Sequence, residues 1–144
     1  MGHEGGAQGG LSAFKLLRSH RELPLVPDVQ NIAGIGRLGV IVAEEGVKHE
    51  RTRGLAEQGA SMIFWLGGHP KADIVTQSRV AENRVFVATA RPVNEGESLI
   101  VSPDGSVLAQ AFACGDQLIS SLCLLGISRE KRVVPGTHVL RPPH

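Results

Sequence analysis

The chain has 144 residues, of which 42% are apolar and 20% charged, and its formal net charge is +1. That length predicts one domain, and the balance excludes whole-chain disorder and gives no electrostatic reason to expect nucleic acid as a partner. No apolar run approaches the roughly 20 residues of a membrane-spanning helix. Its two cysteines cannot make a disulfide scaffold or a four-cysteine zinc site, and free thiols fit a reducing, cytoplasmic setting.

Residues 1–10 hold five glycines and almost nothing apolar, which predicts a disordered tail or a cloning remnant, with no h-region for a signal peptide. The single domain is then expected over 11–144. Leu11, Phe14 and Leu17 fall on one stripe of a short helix that Pro24 and Pro27 would stop. Asn31 to Gly36 reads as a glycine-punctuated approach to a strand.

From there the pattern sharpens. Leu38 to Ala43 is a continuous apolar run, read as a buried strand. Val47 to Gln58 reads as a helix with Gly59 at its C-terminus. Ser61 to Leu66 is a second buried strand, Gly67, Gly68 and Pro70 a loop, and Ala72 to Asn83 a second helix. Val85 to Ala90 is a third strand. Glu97 to Ser102 and Ser106 to Phe112 then flank Pro103-Asp104-Gly105, which is hairpin turn chemistry. Gln117 to Leu124 reads as a further strand, and Ser128 to Lys131 as a helical turn capped by Ser128. The stretch from Val134 to His144 carries three prolines and reads as extended. The order β-α-β-α-β, then antiparallel strands, predicts an α/β class with a mixed sheet.

Several motifs invite chemistry. Gly34-Ile35-Gly36-Arg37-Leu38-Gly39 spells G-x-G-x-x-G, but it precedes a strand instead of opening a helix, so a phosphate would have no helix N-terminus to meet. A turn into the strand is the better reading. His49-Glu50 begins like H-E-x-x-H, yet Arg53 stands where the second histidine belongs, so no metal and no cofactor are expected. Cys114 and Cys123 are candidate nucleophiles, the second reading more readily as a core thiol. Glu44 and Glu45 sit where a buried strand meets a helix, the sheet end at which open α/β folds bind ligands. The alternative is that Glu45 serves the helix dipole.

Longer stretches resemble a family. Gly36-Arg37-Leu38-Gly39-Val40-Ile41-Val42 resembles the strand into the nucleophile of the carbon–nitrogen hydrolases, the nitrilase superfamily. Glu50 and then Leu55-Ala56-Glu57-Gln58-Gly59-Ala60 are similar to the helix that follows. Arg79-Val80-Ala81-Glu82-Asn83 resembles the family's R-A-x-E-N segment, and Gly96 to Gly105 its G-x-S-x-I-x-x-P-x-G hairpin. Val133 to Thr137 resembles the tail segment of some members. The resemblance covers roughly two-thirds of the chain and corresponds to the family's C-terminal half.

The resemblance implies hydrolysis of a small nitrile or amide through a cysteine nucleophile, a glutamate base and a lysine. Cysteine forms the thioester or thioimidate, glutamate moves protons and lysine stabilises negative charge. The sequence departs from that pattern where it matters most. The nucleophile position is Ala43, and Glu45 stands where the family has an acid two residues on. The base lies in a region that this chain does not contain. Lys15 is the one lysine offered by the resemblance, at a spacing from Ala43 that is short for the family. Trp65 and His69 follow the second strand at the same sheet end and could line a pocket with Glu44 and Glu45, or form an ordinary β-α loop. Arg91 stands where many members have asparagine, as an anion attractor or a solvated charge.

Three accounts remain open: a degenerate or truncated homologue without turnover, a cysteine-to-alanine trapping variant, or another activity through other groups. A non-catalytic binding or assembly module that keeps the fold is the reading favoured for the polypeptide as written, and a nucleotide-binding domain is the third. The family stacks two sheets face to face with helices outside. Half of that arrangement leaves an apolar sheet face uncovered, which predicts a homo-oligomer, in the first instance a two-fold dimer.

Overall fold

The computed structural model describes residues 29–69, 71–112 and 115–132. The helix expected over Leu11 to His20, Lys15, Cys114 and the 133–144 stretch lie outside them. Six strands form one mixed sheet in sequence order: β1 Val29–Ile32, β2 Gly36–Val42, β3 Met62–Leu66, β4 Phe86–Ala90, β5 Ser98–Val101 and β6 Val107–Ala111. The central β2, β3 and β4 are parallel, and the outer pairs are antiparallel. Helices α1 (His49–Glu57) and α2 (Ala72–Asn83) are the crossovers that the parallel pairs require.

Alternation along the strands fixes which face is covered. Gly39, Ile63, Val87 and Val101 share one row of the sheet, and Ile41, Trp65 and Thr89 the next. Ile41, Ile63, Trp65, Val87 and Val101 of these rows join Leu55 and Ala56 of α1 and Val80 of α2 in the hydrophobic core. Both helices therefore lie on this face. The opposite face carries Leu38, Val40, Met62, Phe64, Leu66 and Ile100, all half-buried. Among the described residues no helix is long and apolar enough to cross a membrane.

Local chemistry explains the element ends. α1 stops in a two-bond C-cap: the Gly59 N–H donates to Ala56 O at 3.0 Å and the Ala60 N–H to Leu55 O at 3.0 Å. That cap needs a left-handed residue, and Gly59 has φ +90°. In the second hairpin the Asp104 carboxylate accepts the Ser106 N–H at 2.9 Å, and that bond holds its pKa below the ordinary value.

Four local expectations change. Asn31 to Gly36, read as an approach to a strand, instead contributes Asn31 and Ile32 to β1 (Val29–Ile32) and a turn at Gly34 into β2, so the G-x-G-x-x-G lies in a hairpin and a sheet strand. The expected helix from Val47 splits: a 3₁₀ turn over Ala43–Val47 comes first, and the α-helix begins at His49. Gln117 to Leu124 is not a strand. Leu118 is 96% exposed and Leu122 81%, because β propensity spans only about 1 kcal/mol and no ladder partner or packing surface is at hand. Ser128 is not an N-cap; it lies late in a 3₁₀ turn, Leu125–Arg129, and its hydroxyl donates back to Leu125 O at 2.7 Å.

Candidate functional site

The parallel strands end at a common edge, where β2 runs into the 3₁₀ turn. Ala43 opens that turn with φ +50°, in the left-handed region that costs a residue with a Cβ about 1 kcal/mol or more. Backbone strain of this kind persists only where the surroundings fix it. Here the fixing groups are identifiable. The indole N–H of Trp65 donates to Ala43 O at 2.7 Å. The Val42 N–H donates to the Glu45 carboxylate at 3.3 Å. From α2, Arg79 donates to Gly46 O at 3.3 Å and to Val47 O at 2.8 Å while pairing with Glu82 at 2.8 Å. Gly46 lies flat against the Trp65 ring: an added Cβ would come within 2.2 Å of it.

The β3 end closes the other side. The Gly67 N–H donates to Ala90 O at 2.9 Å, and a Cβ on Gly67 would sit 3.5 Å from the Ala43 backbone. The loop after β4 crosses above, with Glu95 packed directly on Gly68. Its first residue, Arg91, is not solvated. Its side chain is fully buried, donating to Asp73 at 2.7 Å, to Thr76 Oγ1 at 2.7 Å and to Glu97 O at 2.6 Å. The guanidinium also lies 5.1 Å from the Trp65 ring centroid, a cation–π contact. Burial pushes its pKa down, and Asp73 pulls it back up.

The sequence-derived candidates therefore separate by role. Ala43 and Trp65 are joined by a hydrogen bond. Glu45 spends its carboxylate on the turn's own backbone and lies 4.0 Å from Arg51. Glu44 is exposed. His69 is half-buried on the β3 loop, with Nδ1 buried and without a hydrogen-bond partner among the described residues. Cys123 lies beyond β6 as a free thiol whose pKa burial raises, which leaves less thiolate. No three metal-ligating side chains gather among the described residues. Sequence reading missed the turn-holding role of Arg79 and the burial of Arg91; the first sits inside the quoted R-A-x-E-N segment, and nothing local marks the second.

The carbon–nitrogen hydrolase family profile matches residues 16–122. Among solved structures, the fold is similar to Nit3 of Saccharomyces cerevisiae, described as a member of branch 10 of the nitrilase superfamily, at 20% identity and TM-score 0.55 over 61% of this chain and 37% of that one. It is also similar to the NitN amidase of Nesterenkonia sp. AN1 at 20% identity and TM-score 0.56, over 76% and 48%. A carbon–nitrogen hydrolase of Helicobacter pylori G27 matches at 18% identity and TM-score 0.51, over 59% and 39%. At these identities the likeness is one of fold. The chain spans less than half the length of these relatives. No curated protein matches it.

Proposed function

Because the chain belongs to the carbon–nitrogen hydrolase family, we propose that it keeps the nucleophile turn of a nitrile- or amide-cleaving lineage as a scaffold and forms no acyl intermediate at Ala43. The observation that carries this reading is the turn itself. A left-handed residue between β2 and a 3₁₀ turn, bonded to a buried indole, carries only a methyl group, and the resemblance gives that position to the thiolate that covalent catalysis needs. Removing a nucleophile from a comparable catalytic set costs on the order of 10⁶ in rate.

The polypeptide then acts as a binding and assembly member of the family. Its apolar second sheet face supports a two-fold dimer in which a second copy covers Val40, Phe64 and their neighbours. A free Cys123 fits a cytoplasmic setting.

Butyramide is the compound bound in a mutant of the Nesterenkonia amidase, and it is the substrate to try. Ammonia release by the unmodified chain should stay at the buffer blank. Turnover by the unmodified chain would overturn the proposal, whereas turnover gained only by Ala43→Cys would place the deficit at this residue. Sedimentation at high protein concentration should give a dimer; a monomer there would sink the assembly part.

A further inference from the structure

Residues 117–124 have the pattern of a strand but no ladder, and the sheet topology decides where they run. At the start, Gln117 lines a small cavity of about 150 Å³ with Ser98 of β5 and Ala111 of β6. The Arg91 N–H donates to Ser98 Oγ at 3.0 Å, which puts Ser98 at the sheet edge that holds Ala43. At the far end, Leu125 packs at Gly36, the first residue of β2: a Cβ on Gly36 would lie 3.4 Å from Leu125 Cδ1. From β5 to β2 is three strand spacings, about 14 Å, and β2 is about 20 Å long, so the two ends lie about 25 Å apart. The eight residues from Gln117 to Leu125 reach at most roughly 29 Å. A detour around helices about 10 Å thick, or around the β6 edge, is longer than that. The segment therefore crosses the second sheet face nearly straight.

Side-chain exposure agrees with such a strap. Ile119 and Cys123 are half-buried, while Leu118, Leu122 and Leu124 are 96%, 81% and 60% exposed. That is the alternation of an extended chain with one side toward the sheet and the other toward solvent. Phe86 shares a row of the second face with Leu38 and Met62 and is 2% exposed, so this face is already roofed at that row. Val40, Phe64 and Leu66 remain half-buried.

A solvated surface loop is the plain alternative, and it fits a polar segment. Residues 117–128 contain no charged side chain, and the exposed side of the strap is mostly leucine. Among the described residues no backbone–backbone hydrogen bond involves Leu118 to Cys123. The strap is thus an apolar ridge standing on a half-covered apolar face.

We propose that the strap is a clasp between two copies of the chain. Its outward leucines pack on Val40, Phe64 and Leu66 of the second copy, whose own strap does the same in return. The inference rests on the two-fold dimer proposed above and names the side chains that make it. Two sheets about 20 Å apart then share one layer, built from both straps, each filling the part of the face that the other leaves open. Six strands averaging about five residues give a face of about 29 by 17 Å. Two such faces bury roughly 1,000 Å² before any relief is counted, the floor for a specific interface. Closure desolvates no charge, since neither residues 117–128 nor the named face residues carry one.

Sedimentation equilibrium of the full chain tests this. The unmodified chain should be dimeric. Leu118→Lys and Leu122→Lys should each raise the dimer dissociation constant at least about a hundredfold, because two-fold symmetry doubles the loss of one buried leucine. Both leucines are exposed in the single chain, so either variant should fold, with Trp65 emission unchanged. Ile74→Lys adds the same charge at a 67% exposed position of α2, on the other side of the sheet, and should stay within about twofold. A dimer that both strap variants leave intact overturns the clasp and keeps the dimer reading. A monomeric unmodified chain overturns both. Equal weakening by Ile74→Lys also overturns the clasp, because added charge anywhere would then suffice.

Discussion

Replacing Gly46 by alanine should destabilise the fold strongly. A Cβ there would lie 2.2 Å from Trp65 Cε2, 2.3 Å from Cζ2 and 2.6 Å from Cδ2. Carbon atoms rest about 3.5 Å apart or more, so the ring or the turn must move by roughly 1.3 Å. The ring has little room, since Trp65 is 2% exposed within the core. Overpacking of this kind costs about 1–3 kcal/mol. Movement also breaks the 2.7 Å bond from the indole to Ala43 O, which adds about 1–3 kcal/mol for a partly buried acceptor left unmade. The expected total is about 2–6 kcal/mol, a large share of the ~5–15 kcal/mol that holds a domain of this kind. Urea denaturation measures it. Trp65 is the only tryptophan in the chain, so its emission reports on this contact alone and should shift to the red. Gly54→Ala is the matched control: it lies inside α1 with nothing within 4 Å of the new Cβ, and should stabilise by up to about 1 kcal/mol. A Gly46→Ala loss under about 1 kcal/mol with unchanged emission would refute the packing argument.

Three further outcomes are expected. Ala43→Gly should raise stability by about 0.5–1 kcal/mol, because relief at φ +50° exceeds the added freedom of the unfolded chain; a lower urea midpoint would show that the turn is not strained. Arg91→Met should cost about 3 kcal/mol in the same assay, the low end for a broken buried pair, since Asp73 is 43% exposed and keeps some of its water. Lys131 has a folded pKa near 8, below its ordinary 10.5, so between those values the unfolded chain holds the extra proton. Stability should therefore rise as pH climbs from about 8 toward 10.5, and Lys131→Met should flatten that slope in thermal melts; an unchanged slope would remove Lys131 as its source.

Local pattern was enough to identify most of the sheet and the family. Runs such as Ser61–Leu66 and Val85–Ala90, the glycine after α1 and the Pro103-Asp104-Gly105 turn carry their structure within a few residues, because apolar period and left-handed turns are local properties. The family match over 16–122 spans these stretches. The segment 117–124 shows where this stops: its apolar residues suit a strand, but a ladder partner is a tertiary fact.

The site divides in the same way. Ala43 is legible as a departure from a motif, and Glu45 as an acid near a helix start. That Glu45 binds its own turn, that Arg79 reaches 33 residues back to clamp that turn, and that Arg91 is buried on Trp65 all depend on how α2 packs. Sequence alone indicated the three parallel strands, the 103–105 turn and the lineage, because those follow from nearest-neighbour sterics and hydrophobic period. Only the tertiary structure decided which charges are buried together, because that depends on contacts between residues distant in the chain.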